Sequence, residues 1–214
     1  MNRTTMRTML VSLVLAAAML TGCALTAPSE EPPARYDLGP LPHYKPAPPV
    51  LPATVLLPDI TAPSWLDVQG IAYRLAYDDP ARVRTYAHSR WRASPPALLS
   101  QRLRARFSAA TRRGVVTGAD SARASYMVRV DLEDFSQVFS APDSSRATVR
   151  ARASLINVRQ HRLIAQRVFL LDRPTPSPDA RGAVAALAKA GDALIEELLE
   201  WTSEQLQAQR RKKR

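Results

Sequence analysis

Few side chains in this chain of 214 residues are placed to do chemistry. The three histidines, His43, His88 and His161, lie far apart with no ligand spacing, so no metal site is expected. Asp131, Glu133 and Asp134 cluster, but Asp131 and Glu133 share the solvated face of a predicted strand. A pair so placed reads as a charged sheet face, not as a general acid and base. Asp78-Asp79 before Pro80 is a turn signal. No nucleophile elbow, phosphate loop or His-Glu-x-x-His motif occurs, and the seven glycines provide no Gly-rich cradle. Enzymatic activity is therefore not expected. One residue remains for covalent chemistry: Cys23, the only thiol, at the end of Leu20-Thr21-Gly22-Cys23.

Upstream of that tetrad, Arg3 and Arg7 form a basic n-region, and Met9 to Met19 is almost wholly apolar. Residues 1–22 therefore read as a secretory signal peptide, too short to be taken as a transmembrane span. Leu20, Thr21, Gly22 and Cys23 together resemble the lipobox of bacterial lipoproteins; an ordinary signal peptide ending near a cysteine is the alternative. The resemblance implies that Cys23 receives a diacylglyceryl thioether and, after cleavage, becomes the acylated N-terminus, carrying chains such as palmitate. The folded part would then have no free thiol and no disulfide. No cofactor is expected beyond this covalent lipid. Ala24 follows the cysteine, where an aspartate in enteric bacteria would favour the inner membrane. The expected location is the periplasmic side of the envelope, at the outer membrane rather than the inner.

Removing the leader leaves enough chain for one domain with a sizeable core. Of the formal charge of +11, Arg3 and Arg7 account for two and Arg210–Arg214 for five, so the body carries only about +4. The high pI is largely a property of the tail, residues 208–214. Outside the cytoplasm such a tail points away from nucleic acid. It suits anionic lipid headgroups, at about 1 kcal/mol per basic residue near the surface, or it is simply a solvated end.

Prolines divide the chain, with eleven of the eighteen between Pro28 and Pro63. Residues 23–34, the lipidated cysteine and a Pro-bearing segment without periodicity, read as a tether; ten extended residues reach roughly 30 Å. The folded domain is expected over 35–207. Arg35 to Leu38 suits a short strand, Pro40 to Pro52 a surface excursion, and Val55 to Leu57 another short strand. Ile71 to Tyr77 alternates, with Ile71, Tyr73, Leu75 and Tyr77 on one face; Tyr73 and Tyr77 are expected in the core. Ser94-Pro95-Pro96 opens a helix buried through Leu99, Leu103, Phe107 and Ala110, with Arg102, Arg104 and Arg106 elsewhere around it. Tyr126 to Phe135 and Ala147 to Ile156 alternate as half-buried strands. Leu163 to Leu171 is apolar on both faces in parts, as a central strand would be. Asn157 to Arg162 suits an antiparallel hairpin loop. Ser177-Pro178-Asp179 opens a final helix to about residue 207, buried through Leu187, Gly191, Leu194, Ile195 and Leu198. The fold class is α+β: one compact domain with a mixed or mostly antiparallel sheet packed by two helices, the other face wet.

The segment from Pro63 to Leu99 is distinctive. It runs Trp65-Leu66-Asp67, then Ile71-x-Tyr73-Arg74, then Tyr86 to Ser89-Arg90-Trp91, then Pro95-Pro96 before Leu99 and Leu103. In that order, behind a lipobox, it resembles the auxiliary lipoprotein component of ABC-type transport systems, encoded with mammalian-cell-entry (MCE) proteins and often with paraquat-inducible-type membrane proteins. The likeness covers roughly residues 35 to 205. It implies a non-catalytic accessory subunit that works with an MCE-domain protein and an ABC transporter or permease to move lipids or other hydrophobic molecules. It also implies a fold resembling the N-terminal domain of the periplasmic protein of the Tol system. The family's Leu-Asp-Arg-Pro turn stands here as Leu66-Asp67-Val68-Gln69.

Trp65, Leu66, Asp67, Arg90 and Trp91 are the candidate partner interface, because tryptophan and arginine are enriched in interface hot spots. Trp91, just before a helix start, is also suited to plug a seam between helix and sheet. Two other functions fit the composition: a lipoprotein regulating a cell-wall enzyme by contact, and a lipid carrier with an apolar cavity of several hundred Å³.

Overall fold

A computed structural model describes residues 32–42, 44, 51–111, 114–120 and 122–212. The chain divides into two units, Met1–Pro32 and Pro33–Arg214, and the architecture below is that of the second. Cys23, the Leu20-Thr21-Gly22 motif and most of the tether fall outside the described residues.

Among the described residues, eight strands and two helices follow in order: β1 (Ala34–Tyr36), β2 (Val55–Leu56), β3 (Gly70–Leu75), β4 (Asp79–Trp91), α1 (Pro95–Ala109), β5 (Val115–Val116), β6 (Tyr126–Ala141), β7 (Ser144–Asn157), β8 (Arg162–Pro174) and α2 (Ala180–Arg211). The result is an α+β domain with one mixed sheet. β3–β4, β6–β7 and β7–β8 pair antiparallel; β1–β4, β2–β5, β2–β6 and β3–β6 pair parallel. β6 is the spine. One of its edges takes β7 throughout, while the other takes β2 at Tyr126–Met127 and β3 at Gln137–Phe139. Thr61 bridges the gap to Asp131.

Alternation explains the layers. Val128, Val130 and Leu132 of β6 are buried, as are Ala147, Val149, Ala151, Ala153 and Leu155 of β7. A register shift between Leu132 and Asp134 then changes the parity. An extra residue in one strand turns the following side chains to the other face, so Phe135 enters the core at an odd number. α2 lies on β6, β7 and β8, and also against α1. Its buried stripe includes Leu187, Leu194, Ile195, Leu198 and Trp201, with Trp201 edge-to-face on Phe169 at 6.0 Å. The three small β7 alanines leave room for that helix. Gly191 does the same between the helices: a Cβ there would meet Leu99 Cδ2 at 2.9 Å.

Several local expectations change. Ser94 has an extended backbone but its side chain caps nothing; the two prolines open α1 instead. At α2 the cap is Asp179, whose Oδ1 accepts from Gly182 N at 2.7 Å. α2 continues through Arg211, four residues past its expected end. β4 is a strand of thirteen residues beginning at Asp79, within the expected turn, and it is mostly exposed. β6 and β7 extend to a tight hairpin at Pro142–Asp143. Among the described residues β8 is an edge strand bonded to β7 alone, not a central one, and it exposes Leu163, Val168 and Leu170. Tyr77 lies in the turn after β3, 48% exposed, and is not a core residue. Within the proline-rich excursion Leu51 returns to the core, its N donating to Ala110 O at 3.2 Å.

Candidate docking surface

The turn at 64–69 carries the residues of interest. Leu66 and Asp67 N–H groups both donate to Pro63 O, at 2.9 and 3.1 Å, closing one helical turn. That turn points Leu66 inward, where it is 2% exposed, and leaves Trp65 and Asp67 outside. It is pinned to the end of β4, because Trp91 N donates to Gln69 O at 2.7 Å and Gln69 Nε2 donates to Arg92 O at 3.3 Å. Gly70 pairs with Arg90, so the exposed Arg90 side chain is held beside the turn.

Leu66 and Trp91 therefore leave the candidate interface. Trp91 is fully buried, its ring 5.7 Å from that of Phe135, at the helix–sheet seam. Trp65, Asp67 and Arg90 remain on the surface. Trp65 is 36% exposed, and the Arg74 guanidinium lies 5.3 Å from its ring centre. Arg74 also donates long hydrogen bonds to the carbonyls of Pro80 and Ala81. The indole is thus steadied from one side and free on the other. Asp67 and Arg90 have no side-chain partner among the described residues. Val68, Tyr77 and Val83 add exposed apolar area on these elements.

The open sheet face beyond is a lattice of matched charges. Asp131 accepts from Thr61 Oγ1 at 2.5 Å and meets Arg129 and Arg152 at 3.3 and 3.5 Å. Glu133 pairs with Arg150 at 2.8 Å. Each carboxylate lies beside arginine on the open face, as in a charged sheet surface. Asp134 is the exception. Burial pushes its carboxyl above the ordinary range, against the hydrogen bond from Ser136 and the charges of Arg74 and Arg150.

On the helix face a half-buried polar chain around the buried Gln137 runs from Tyr86 Oη to Gln137 Oε1 at 2.6 Å, from Gln137 Nε2 to Ser145 Oγ at 2.8 Å, and on to Thr175 at 2.6 Å. Desolvation lifts the Tyr86 phenol to about 12, with Tyr73 and Asp179 adding to the shift. The chain contains a serine but no base, so its role is to satisfy buried polar atoms. Among the described residues no group of three or more His, Cys, Asp or Glu is arranged to hold a metal.

Between sheet and helices the space is filled by Trp91, Phe107, Phe135 and Phe169 among others. The larger hollows lie at the surface. One groove of about 690 Å³ runs between Tyr36–Gly39 and Val184–Ala188, and another of about 580 Å³ lies on the α1 side of the same strand end.

The family model for the ABC-type transport auxiliary lipoprotein component matches residues 36–198. The chain belongs to that family. The match begins within β1 and ends in α2, so it spans nearly all of this auxiliary lipoprotein's folded unit. The crystal structure of XCC0632 from Xanthomonas campestris shares the fold at a TM-score of 0.67 and 22% identity, covering 84% of this chain and 97% of that one. The crystal structure of an uncharacterized protein follows at 0.61 and 16%, covering 79% and 98%. No curated protein sequence matches the chain.

Sequence reasoning missed Arg102. It is 3% exposed, donates from Nη1 to Asp192 on α2 at 2.5 Å, and gives Nη2 to the carbonyls of Leu38, Gly39 and Pro40. A signal existed: Arg102 follows Leu99 by three residues, on the buried stripe of α1.

Proposed function

We propose that this auxiliary lipoprotein is a non-catalytic accessory subunit of an ABC-type system that moves lipids or other hydrophobic molecules with an MCE-domain protein. The observation that carries the reading is the family match over residues 36–198. Cys23 bears the acyl anchor, the chain needs no other cofactor, and the domain stands on the periplasmic side of the envelope at the outer membrane. The partner side is the surface around Trp65, Asp67 and Arg90. The filled layer between sheet and helices favours a subunit that positions the machine over a carrier enclosing an acyl chain.

The test is movement of a labelled phospholipid between the two membranes of cells lacking the chain. Movement slows, is restored by the full chain, and is not restored by Cys23→Ala. Unchanged movement without the chain would overturn the reading. Altered cell-wall synthesis instead would point to a lipoprotein that regulates a wall enzyme.

A further inference from the structure

The outer edge of β8 has no strand beside it among the described residues. β8 bonds to β7 from Arg162 to Pro174, so its other side presents a row of backbone N–H and C=O groups over the same length. Such an edge templates strand addition unless lysines, prolines or bulges blunt it. Here the strand contains no lysine, its one proline stands at the very end, and its one register shift against β7, at Leu163–Ala165, leaves Ala165 to Pro174 in regular pairing. Val168 and Leu170, 46% and 56% exposed, lie side by side on the open face, opposite to the buried Phe169 and Leu171.

Charge selects the occupant. Arg162, Arg167 and Arg173 line this edge, and none has a carboxylate partner among the described residues. Arg167 stacks over Phe169 at 4.7 Å. The one acid of the strand, Asp172, is already turned inward to Thr148 and Arg146. A second copy would therefore bring three arginines toward their own equivalents with no free carboxylate to meet them. We infer that β8 is a strand-addition site for an extended, acidic segment of a partner protein, with apolar residues at alternate positions to cover Val168 and Leu170. Backbone pairing supplies the affinity, and the arginines select acidic partners. The inference does not depend on which envelope system the chain serves.

The test uses the full lipidated chain in detergent with a synthetic peptide of alternating Val and Glu, about as long as β8. Binding is read by fluorescence anisotropy and located by amide exchange. The peptide protects amides within 165–174, a Lys-for-Glu version binds at least about tenfold more weakly, and Leu170→Asp weakens the acidic peptide by about tenfold. Leu170 is exposed, so that variant keeps its fold, which its unchanged melting temperature verifies. Three results would each overturn the inference: no protection of β8 by the acidic peptide, equal binding of the basic one, or concentration-dependent protection of β8 with no peptide present.

Discussion

Arg102 on α1 and Asp192 on α2 meet at 2.5 Å, and the same guanidinium holds the strand end at Leu38–Pro40. One buried cation thus ties two helices to the segment that leaves β1. Removing it leaves three carbonyls and a carboxylate without their donor. Arg102→Ala is expected to destabilise the domain by about 1–3 kcal/mol, the range for buried acceptors left without a donor. Asp192 is partly exposed, so Asp192→Asn should cost less than half as much. Urea denaturation of both variants checks the order; equal losses would contradict it.

The two tryptophans near the turn separate surface from core. Trp91→Ala removes a fully buried ring tilted against that of Phe135 and should cost about 3–5 kcal/mol. Trp65→Ala removes a half-covered ring whose main tie is Arg74, a contact worth roughly 0.5–1 kcal/mol. Melting of the two variants should differ widely, and only Trp65→Ala should keep the fold while weakening partner capture.

Asp134 and Asp179 pull stability in opposite directions with pH. Hydrogen bonds from Gly182 N–H and Ser177 hold the Asp179 carboxyl below its ordinary range. Its contribution is present above the unfolded carboxylate pKa and is lost as pH falls through the lower folded one. Burial raises Asp134, so its ionised form opposes folding at neutral pH and protonation relieves that. Asp134→Asn should match or exceed the parent in stability at neutral pH, and the difference should shrink in acid. Asp179→Ala should cost about 1 kcal/mol at neutral pH and progressively less in acid. Denaturation across the acid range measures both slopes.

Tyr86→Phe leaves Gln137 Oε1 buried without its donor and should cost about 1–3 kcal/mol. The parent phenol, at about 12, binds its proton more tightly folded than unfolded. Its stabilisation is complete below about 10 and is lost as pH rises through the folded value. Ultraviolet titration should show one tyrosine ionising last, missing in the variant.

Legibility in the sequence followed the source of each signal. The β6 and β7 alternation was plain, because one face of each strand meets α2 and the other meets water. β8 was misplaced because apolar residues on both faces describe a central strand and an edge with an exposed apolar face equally well. Only pairing distinguishes them. β4 was missed since both faces are wet and its arginines follow no stripe. Leu66 and Trp91 were grouped with Trp65 and Arg90 by nearness in sequence, whereas the 64–69 turn sends Leu66 inward and Trp65 outward, and strand alternation at the end of β4 does the same for Trp91 and Arg90. Asp179 outcompeted Ser177 as the α2 cap because its carboxylate reaches Gly182 N. There a Cβ on residue 182 would stand 2.0 Å from Ser177 O, so only glycine fits.

The most direct measurement is affinity capture of the lipidated chain from detergent-solubilised envelopes, with mass spectrometry of its companions, for the parent and for Trp65→Ala. The account predicts an MCE-domain protein and ABC-transporter components with the parent, and at least about tenfold less of them with the variant. Cell-wall synthases without any MCE or ABC component would contradict it.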